Sequence, residues 1–149
     1  MKSLLIICLI LTIGNSFAQE LSADEKAVKA VIAKLFEGMQ KGDSTLVRSV
    51  FHPKARLQTA FADKNGKPAL AEGNISNFVK AVGTPHAEVW DERLSTIEIR
   101  IDDNLATVWA NYEFYVGSKF SHAGVNAFQL FKSESGWKII QIADTRRKK

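Results

Sequence analysis

The chain has 149 residues, a formal net charge of +4 at pH 7 and a single cysteine, Cys8, close to its N-terminus. Without further cysteines, disulfides and cysteine-based zinc sites are excluded for the remainder of the chain. Its basic residues are not interleaved with aromatic residues along one face, so the composition gives no indication of nucleic acid as a partner.

Residues 1–18 have the pattern of a secretory signal peptide. Lys2 provides a positive n-region, residues 4–13 form an apolar stretch, and Ser16 and Ala18 are the small residues of a cleavage site. The apolar stretch is about half as long as the roughly 20 residues that a membrane-spanning helix needs. We therefore expect cleavage after Ala18, export to the periplasm or the medium, and no stable insertion into a membrane. Residues 19–149 are expected to form a single domain.

Apolar residues at helical spacing predict three helices in the first part of this domain. The first begins with Ser22 and Glu25, which form a capping box, and ends at Gly42. Asp43 caps the second helix, and Pro53 ends it. The predicted ranges are 22–41, 43–53 and 74–82.

A weak alternation predicts a short strand over residues 54–62, followed by a turn-rich connection over residues 63–68. From residue 88 onward the apolar period is two, which predicts four further strands. Their connections are too short for helical crossovers, so neighbouring strands should pair antiparallel. The predicted class is therefore α+β. The four strands are predicted over residues 90–102, 105–116, 122–131 and 137–145.

This layout resembles the nuclear transport factor 2-like superfamily, and several short segments are similar to a bacterial branch labelled SnoaL-like, polyketide-cyclase-like or lumazine-binding. The resemblance implies a cone, in which a strongly curved antiparallel sheet wraps around the N-terminal helices and encloses a deep pocket. The superfamily includes isomerases, dehydratases and cyclases, and also members that only bind or dimerise, so the fold does not select one function. The segments are Phe51-His52-Pro53-Lys54-Ala55, Trp90-Asp91-Glu92-Arg93-Leu94, Gly136-Trp137-Lys138-Ile139-Ile140 and Asp144-Thr145-Arg146.

The residues predicted to bind a ligand are large apolar side chains and a few polar groups. Trp90 begins a strand near the expected mouth of the pocket, where its indole suits stacking on a flat ligand. His122 and Asn126 are four residues apart on one strand and share a face, and Gly124 between them leaves room for a close approach. The remaining candidates are Tyr112 and the predicted apolar walls Phe36, Phe61 and Phe78.

Three functions are compatible with these residues, and we favour the first. The first is an exported domain that binds a small, flat or apolar molecule. The second is a cofactor-free isomerase, dehydratase or cyclase, in which His122 and Asp144 are the acid–base groups and Tyr112 or Asn126 stabilises an oxygen. The third is a dimeric interaction module without a ligand.

No metal site and no cofactor are predicted, because no histidines have the spacing of ligands and no acidic loop has the order of a calcium site. A homodimer is predicted from the apolar outer face of the sheet, where Trp109 and Tyr115 alternate with inward residues.

Overall fold

The computed structural model describes residues 20–148, and the predicted signal peptide lies outside this range. Three helices pack in the hollow of one curved six-stranded sheet, so the α+β cone predicted from the sequence is confirmed. In chain order the elements are α1 (Ala23–Lys41), α2 (Ser44–Val50), β1 (Phe51–Ala62), β2 (Pro68–Gly73), α3 (Ile75–Gly83), β3 (Trp90–Asp102), β4 (Leu105–Val116), β5 (Lys119–Ser133) and β6 (Gly136–Thr145).

The strand order in the sheet is β2-β1-β6-β5-β4-β3. Neighbouring strands are antiparallel throughout, except that β1 pairs with β6 in parallel. The prediction of a single strand before α3 was wrong, because Pro68–Gly73 forms a second strand that pairs with β1 at the edge of the sheet. This short strand starts with a proline and has no apolar alternation, and both features are compatible with an edge position.

The core lies between α1 and the middle of the sheet. The capping box of Ser22 and Glu25 is present at the start of α1, and the apolar stripe of the helix is buried as its spacing predicts. Val28 and Leu35 pack with inward side chains of β5 and β6, among them Leu130 and Ile139. This packing fills the space near the β5–β6 turn, whereas Asn126 and Asp144, farther from that turn on the same two strands, line a cavity.

None of the helices within residues 20–148 is long and apolar enough to cross a membrane.

Candidate functional site

A cavity of about 750 Å³ lies between the helices and the inner face of the sheet. This volume falls within the range of roughly 300–1,000 Å³ that is typical of small-molecule sites. Much of its wall is aromatic, with side chains supplied by both helices and strands. The aromatic lining residues are Phe36, Phe78, Trp90, Tyr112, Phe114 and Phe128.

Trp90, the predicted stacking residue, lies at the start of β3 and lines the cavity. Its ring contacts Phe114 edge to face at a centroid distance of 6.3 Å. His86, from the loop before β3, stacks on the indole at 4.0 Å with an interplanar angle of 29°. One face of the indole is therefore covered by the protein, and a ligand can stack only on the other face.

Glu92 and Asn126 form a hydrogen-bonded pair in the cavity lining. The Asn126 Nδ2 group donates to Glu92 Oε1 at 2.6 Å, and the Asn126 residue is only 6% exposed. Burial raises the pKa of the Glu92 carboxyl from 4.5 to about 7, against the opposing effect of the Asn126 hydrogen bond, and the negative charge of Asp144 raises it further. Glu92 is therefore a mixture of neutral and charged forms near neutral pH.

Asp144 is held by three side chains around it. Thr59 Oγ1 donates to Asp144 Oδ1 at 2.6 Å, while Arg146 Nε at 3.1 Å and Tyr112 Oη at 3.4 Å both lie against Oδ2. The Tyr112 hydroxyl makes a shorter bond, of 2.9 Å, to the carbonyl oxygen of Thr145. Burial, together with the charge of Asp144, raises the pKa of Tyr112 well above its ordinary value, so this hydroxyl stays neutral and is already engaged as a donor.

His122 also lines the cavity, with its ring against Phe114 at 5.1 Å and Tyr112 at 5.8 Å. Burial lowers the pKa of the His122 imidazole below its ordinary value, and the positive charge of Arg146 lowers it further. Its Nδ1 atom lies 3.1 Å from Ser121 Oγ. The imidazole is therefore neutral at pH 7.

The structure does not bring His122 and Asp144 into hydrogen-bonding contact. In the register of the sheet, Asp144 pairs with Asn126, whereas His122 pairs with Phe114 on the opposite neighbouring strand. Among the hydrogen bonds of residues 20–148, none joins these two side chains. The predicted acid–base pair therefore lacks the direct contact that orients a catalytic histidine.

Gly124 allows a close approach, as predicted, but the approach is made by the protein itself. A Cβ atom at this position would collide with the carbonyl oxygen of Thr145 and would lie 2.7 Å from Cε1 of Tyr112. The glycine thus lets β5 accept the hydrogen-bonded Tyr112 ring and does not open space for a ligand.

The prediction that Phe61 forms a wall of the pocket was wrong, because its side chain does not line the cavity and is 38% exposed. It shares the strand face of Thr59, which does line the cavity. However, β6 ends beside Ala60, whose partner is Thr145, so the β1–β2 hairpin continues past the cavity before it reaches Phe61.

Glu92, Thr59 and Arg146 were missed as lining residues in the sequence analysis. Glu92 lies between Trp90 and Leu94 on one strand face, and a carboxylate flanked in this way is the signal that could have identified it. Within the part of the chain that the structure describes, no group of three or more histidine, cysteine or acidic side chains is arranged to hold a metal ion.

Residues 23–143 match the protein family described as "Putative lumazine-binding". The chain belongs to this family. The fold implied by the nuclear transport factor 2-like resemblance is confirmed, because solved structures with that description share it. A search of curated proteins found no match.

Three solved structures illustrate the likeness of this family member to known folds. A nuclear transport factor 2-like protein of unknown function from Shewanella baltica is 22% identical, with a TM-score of 0.61, over 83% of this chain and 94% of that chain. A nuclear transport factor 2-like protein with a cystatin-like fold from Novosphingobium aromaticivorans is 12% identical, with a TM-score of 0.66, over 83% of this chain and 81% of that chain. A protein described as "Putative Scytalone Dehydratase" from the same organism is 12% identical, with a TM-score of 0.64, over 83% of each chain. At these identities the likeness establishes the fold alone.

Proposed function

We propose that this protein binds a small, flat and largely apolar molecule in the cavity between its helices and its sheet. The observation that carries the proposal is the cavity of about 750 Å³, whose wall is rich in aromatic side chains and whose central polar groups, among them Asn126 and Asp144, are held by hydrogen bonds. Such a combination of apolar walls and oriented polar groups is the usual composition of ligand sites. The family description is consistent with ligand binding.

Two features favour binding over the alternative functions. An interaction module without a ligand would have its centre filled by phenylalanine and tryptophan side chains, whereas here they surround an open space. An isomerase or dehydratase needs free donors for a developing negative charge. In this cavity the hydroxyl of Tyr112 is already donated to the carbonyl oxygen of Thr145.

The proposal is tested by filling the cavity from the helix side. Ala81 on α3 lines the cavity, so Ala81→Phe should place a ring inside it and weaken the binding of naphthylmethanol, a flat neutral probe, roughly tenfold or more. The matched control is Ala30→Phe, which adds the same ring to an exposed position of α1. Fluorescence titration of the naphthyl group measures both dissociation constants.

Equal dissociation constants for Ala81→Phe and the wild-type protein, with both variants folded by circular dichroism, would contradict binding in the cavity. Weakening by Ala30→Phe alone would place the probe on the outer surface of α1 and would contradict it as well.

We also propose that the protein is exported after removal of residues 1–18, on the strength of their signal-peptide pattern. The intact mass of the exported protein should correspond to a chain that starts at Gln19, and a mass that includes the leader would contradict this.

The protein is further proposed to form a homodimer through the outer face of its sheet. Trp109 is 53% exposed at the middle of that face, between Glu98 on β3 and Ala127 on β5. A large aromatic side chain on an open sheet face is typical of association surfaces.

A further inference from the structure

The charges in the cavity lining differ in sign from the charge of the whole chain. The chain carries a net charge of +4, yet the lining includes three acidic side chains, those of Glu72, Glu92 and Asp144, and only one cationic side chain, that of Arg146. His122 adds no charge at neutral pH, because burial lowers the pKa of its imidazole. The electrostatic potential inside the cavity therefore favours a positively charged ligand.

Arg146 does not neutralise both central carboxylates. Its Nε atom forms an ion pair with Asp144 Oδ2 at 3.1 Å. Glu92 has no ion pair among residues 20–148, and its hydrogen bond is to the neutral amide of Asn126. A buried carboxylate without a cationic partner is unfavourable, so a cation from a ligand would satisfy it.

Glu92 and Asn126 each present a hydrogen-bond acceptor to the cavity. One of the two amide hydrogens of Asn126 is donated to Glu92 Oε1. Asn126 Oδ1, Glu92 Oε2 and the second amide hydrogen of Asn126 remain for a ligand. Asn126 is more than nine-tenths buried and lines the cavity, so a further partner for its amide group has to come from inside the cavity. When Glu92 is ionised, the two neighbouring oxygens both accept hydrogen bonds, so an ammonium group, which only donates, fits them.

The aromatic side chains around this pair suit a cation as well as an apolar ring. In the sheet register, Phe114 pairs with Glu92 on one side and His122 on the other, and Trp90 contacts Phe114 edge to face. Aromatic faces attract ammonium groups through the ring quadrupole. The wall can therefore bind the apolar part of a ligand while it stabilises the charge beside it.

We propose that the cavity selects a ligand with a protonated primary amine on a flat apolar body, and that Glu92 and Asn126 bind the ammonium group. This inference rests on the proposed function, since it names the class of ligand for the same cavity. The ammonium donates to Asn126 Oδ1 and Glu92 Oε2, and the apolar ring lies against Trp90 and Phe114.

The test compares three probes of the same ring and different charge, by isothermal titration calorimetry. Naphthylmethylamine is cationic, naphthylmethanol is neutral and naphthoate is anionic at neutral pH. The wild-type protein should bind the amine roughly tenfold more tightly than the alcohol and should bind naphthoate most weakly. Glu92→Gln should abolish the preference, so that the amine and the alcohol bind this variant with similar dissociation constants. The matched control is Glu98→Gln on the same strand, whose side chain is exposed, and it should keep the preference.

Equal affinity for the amine and the alcohol, or a preference that survives in Glu92→Gln, would overturn the inference and leave the proposed function standing. Failure of all three probes to bind would overturn the proposed function together with the inference. A preference lost equally in Glu98→Gln would also overturn it, because the effect would then come from net charge and not from the cavity.

Discussion

Glu92 is the residue on which the electrostatics of the cavity depend most. Its carboxyl is buried beside an aromatic wall, and its hydrogen bond to Asn126 only partly offsets the loss of hydration. The neighbouring charge of Asp144 disfavours ionisation further, whereas Arg146 favours it. The result is an ionisable group poised between two states at neutral pH, which is characteristic of functional positions.

The raised pKa of Glu92 predicts a dependence of stability on pH. Because the folded protein holds the Glu92 proton more tightly than the unfolded chain, the stabilisation is complete below the unfolded pKa of 4.5 and is lost as the pH rises through about 7. Between about pH 5 and about pH 8, the free energy of unfolding of the wild-type protein should fall by about 2–3 kcal/mol relative to that of Glu92→Gln. Urea denaturation at the two pH values measures the difference.

Glu98→Gln is the control for this measurement, because it removes a carboxyl from the exposed face of the same strand. It should change with pH in parallel with the wild-type protein. A constant difference between the wild-type protein and Glu92→Gln across this pH range would show that Glu92 has an ordinary pKa.

A bulge in β3 explains why alternation counted from the middle of the strand did not place Glu92 in the cavity lining. Counting back in steps of two from the inward Ile97 would put Glu92 on the outer face. A bulge at Ser95 reverses this parity, since Leu94 pairs with Tyr112 and Thr96 with the adjacent Asn111. Trp90 lines the cavity, and its prediction as a stacking residue relied on its position at the mouth and not on parity.

At the level of elements, the parallel pairing of β1 with β6 creates the environment of Asp144. It sets Thr59 opposite Asp144, where the hydroxyl donates to the carboxylate. The two residues are 85 positions apart in the chain, so no local pattern indicated their contact. Alternation and short connections predicted the antiparallel meander of β3 to β6, but they carry no information on which distant strand completes the sheet.

The edge strand β2 was missed for a related reason. Its residues are mostly exposed, so they lack the apolar alternation that identifies a half-buried strand. It is nevertheless part of the site, since Ala71, Glu72 and Gly73 line the cavity. Segments that contribute backbone and small side chains to a wall are the hardest to recognise from sequence.

The outer face of the sheet gives a prediction about assembly. If two copies pair through this face, Trp109→Lys should place a charge in the interface and weaken dimerisation roughly tenfold or more. Sedimentation velocity at micromolar concentration should show a dimer for the wild-type protein and a monomer for the variant. Ala87→Lys, in the exposed loop before β3, adds the same charge elsewhere and should remain dimeric. A monomeric wild-type protein would contradict the proposed dimer.

At the level of the whole molecule, the helices were predictable from their caps and apolar stripes, except that α2 ends at Val50 and the predicted stop, Pro53, lies in β1. The cone was predictable only from its resemblance to a known superfamily. Curvature arises from bulges and from strand twist, and the bulge at Ser95 is not visible in residue types. The acidic cavity within a basic chain is likewise a property of the fold, because Glu92 and Asp144 lie on strands that are not neighbours in the sheet.

The most direct test of the proposed function is to observe a bound ligand inside the cavity. In isotope-labelled protein saturated with naphthylmethanol, nuclear Overhauser effects should connect the naphthyl protons to Phe36, Trp90 and Ile142, which line the cavity from α1, β3 and β6. Contacts only with the exposed Trp109, or no intermolecular contacts at saturating probe, would show that the hollow of the cone does not receive a ligand.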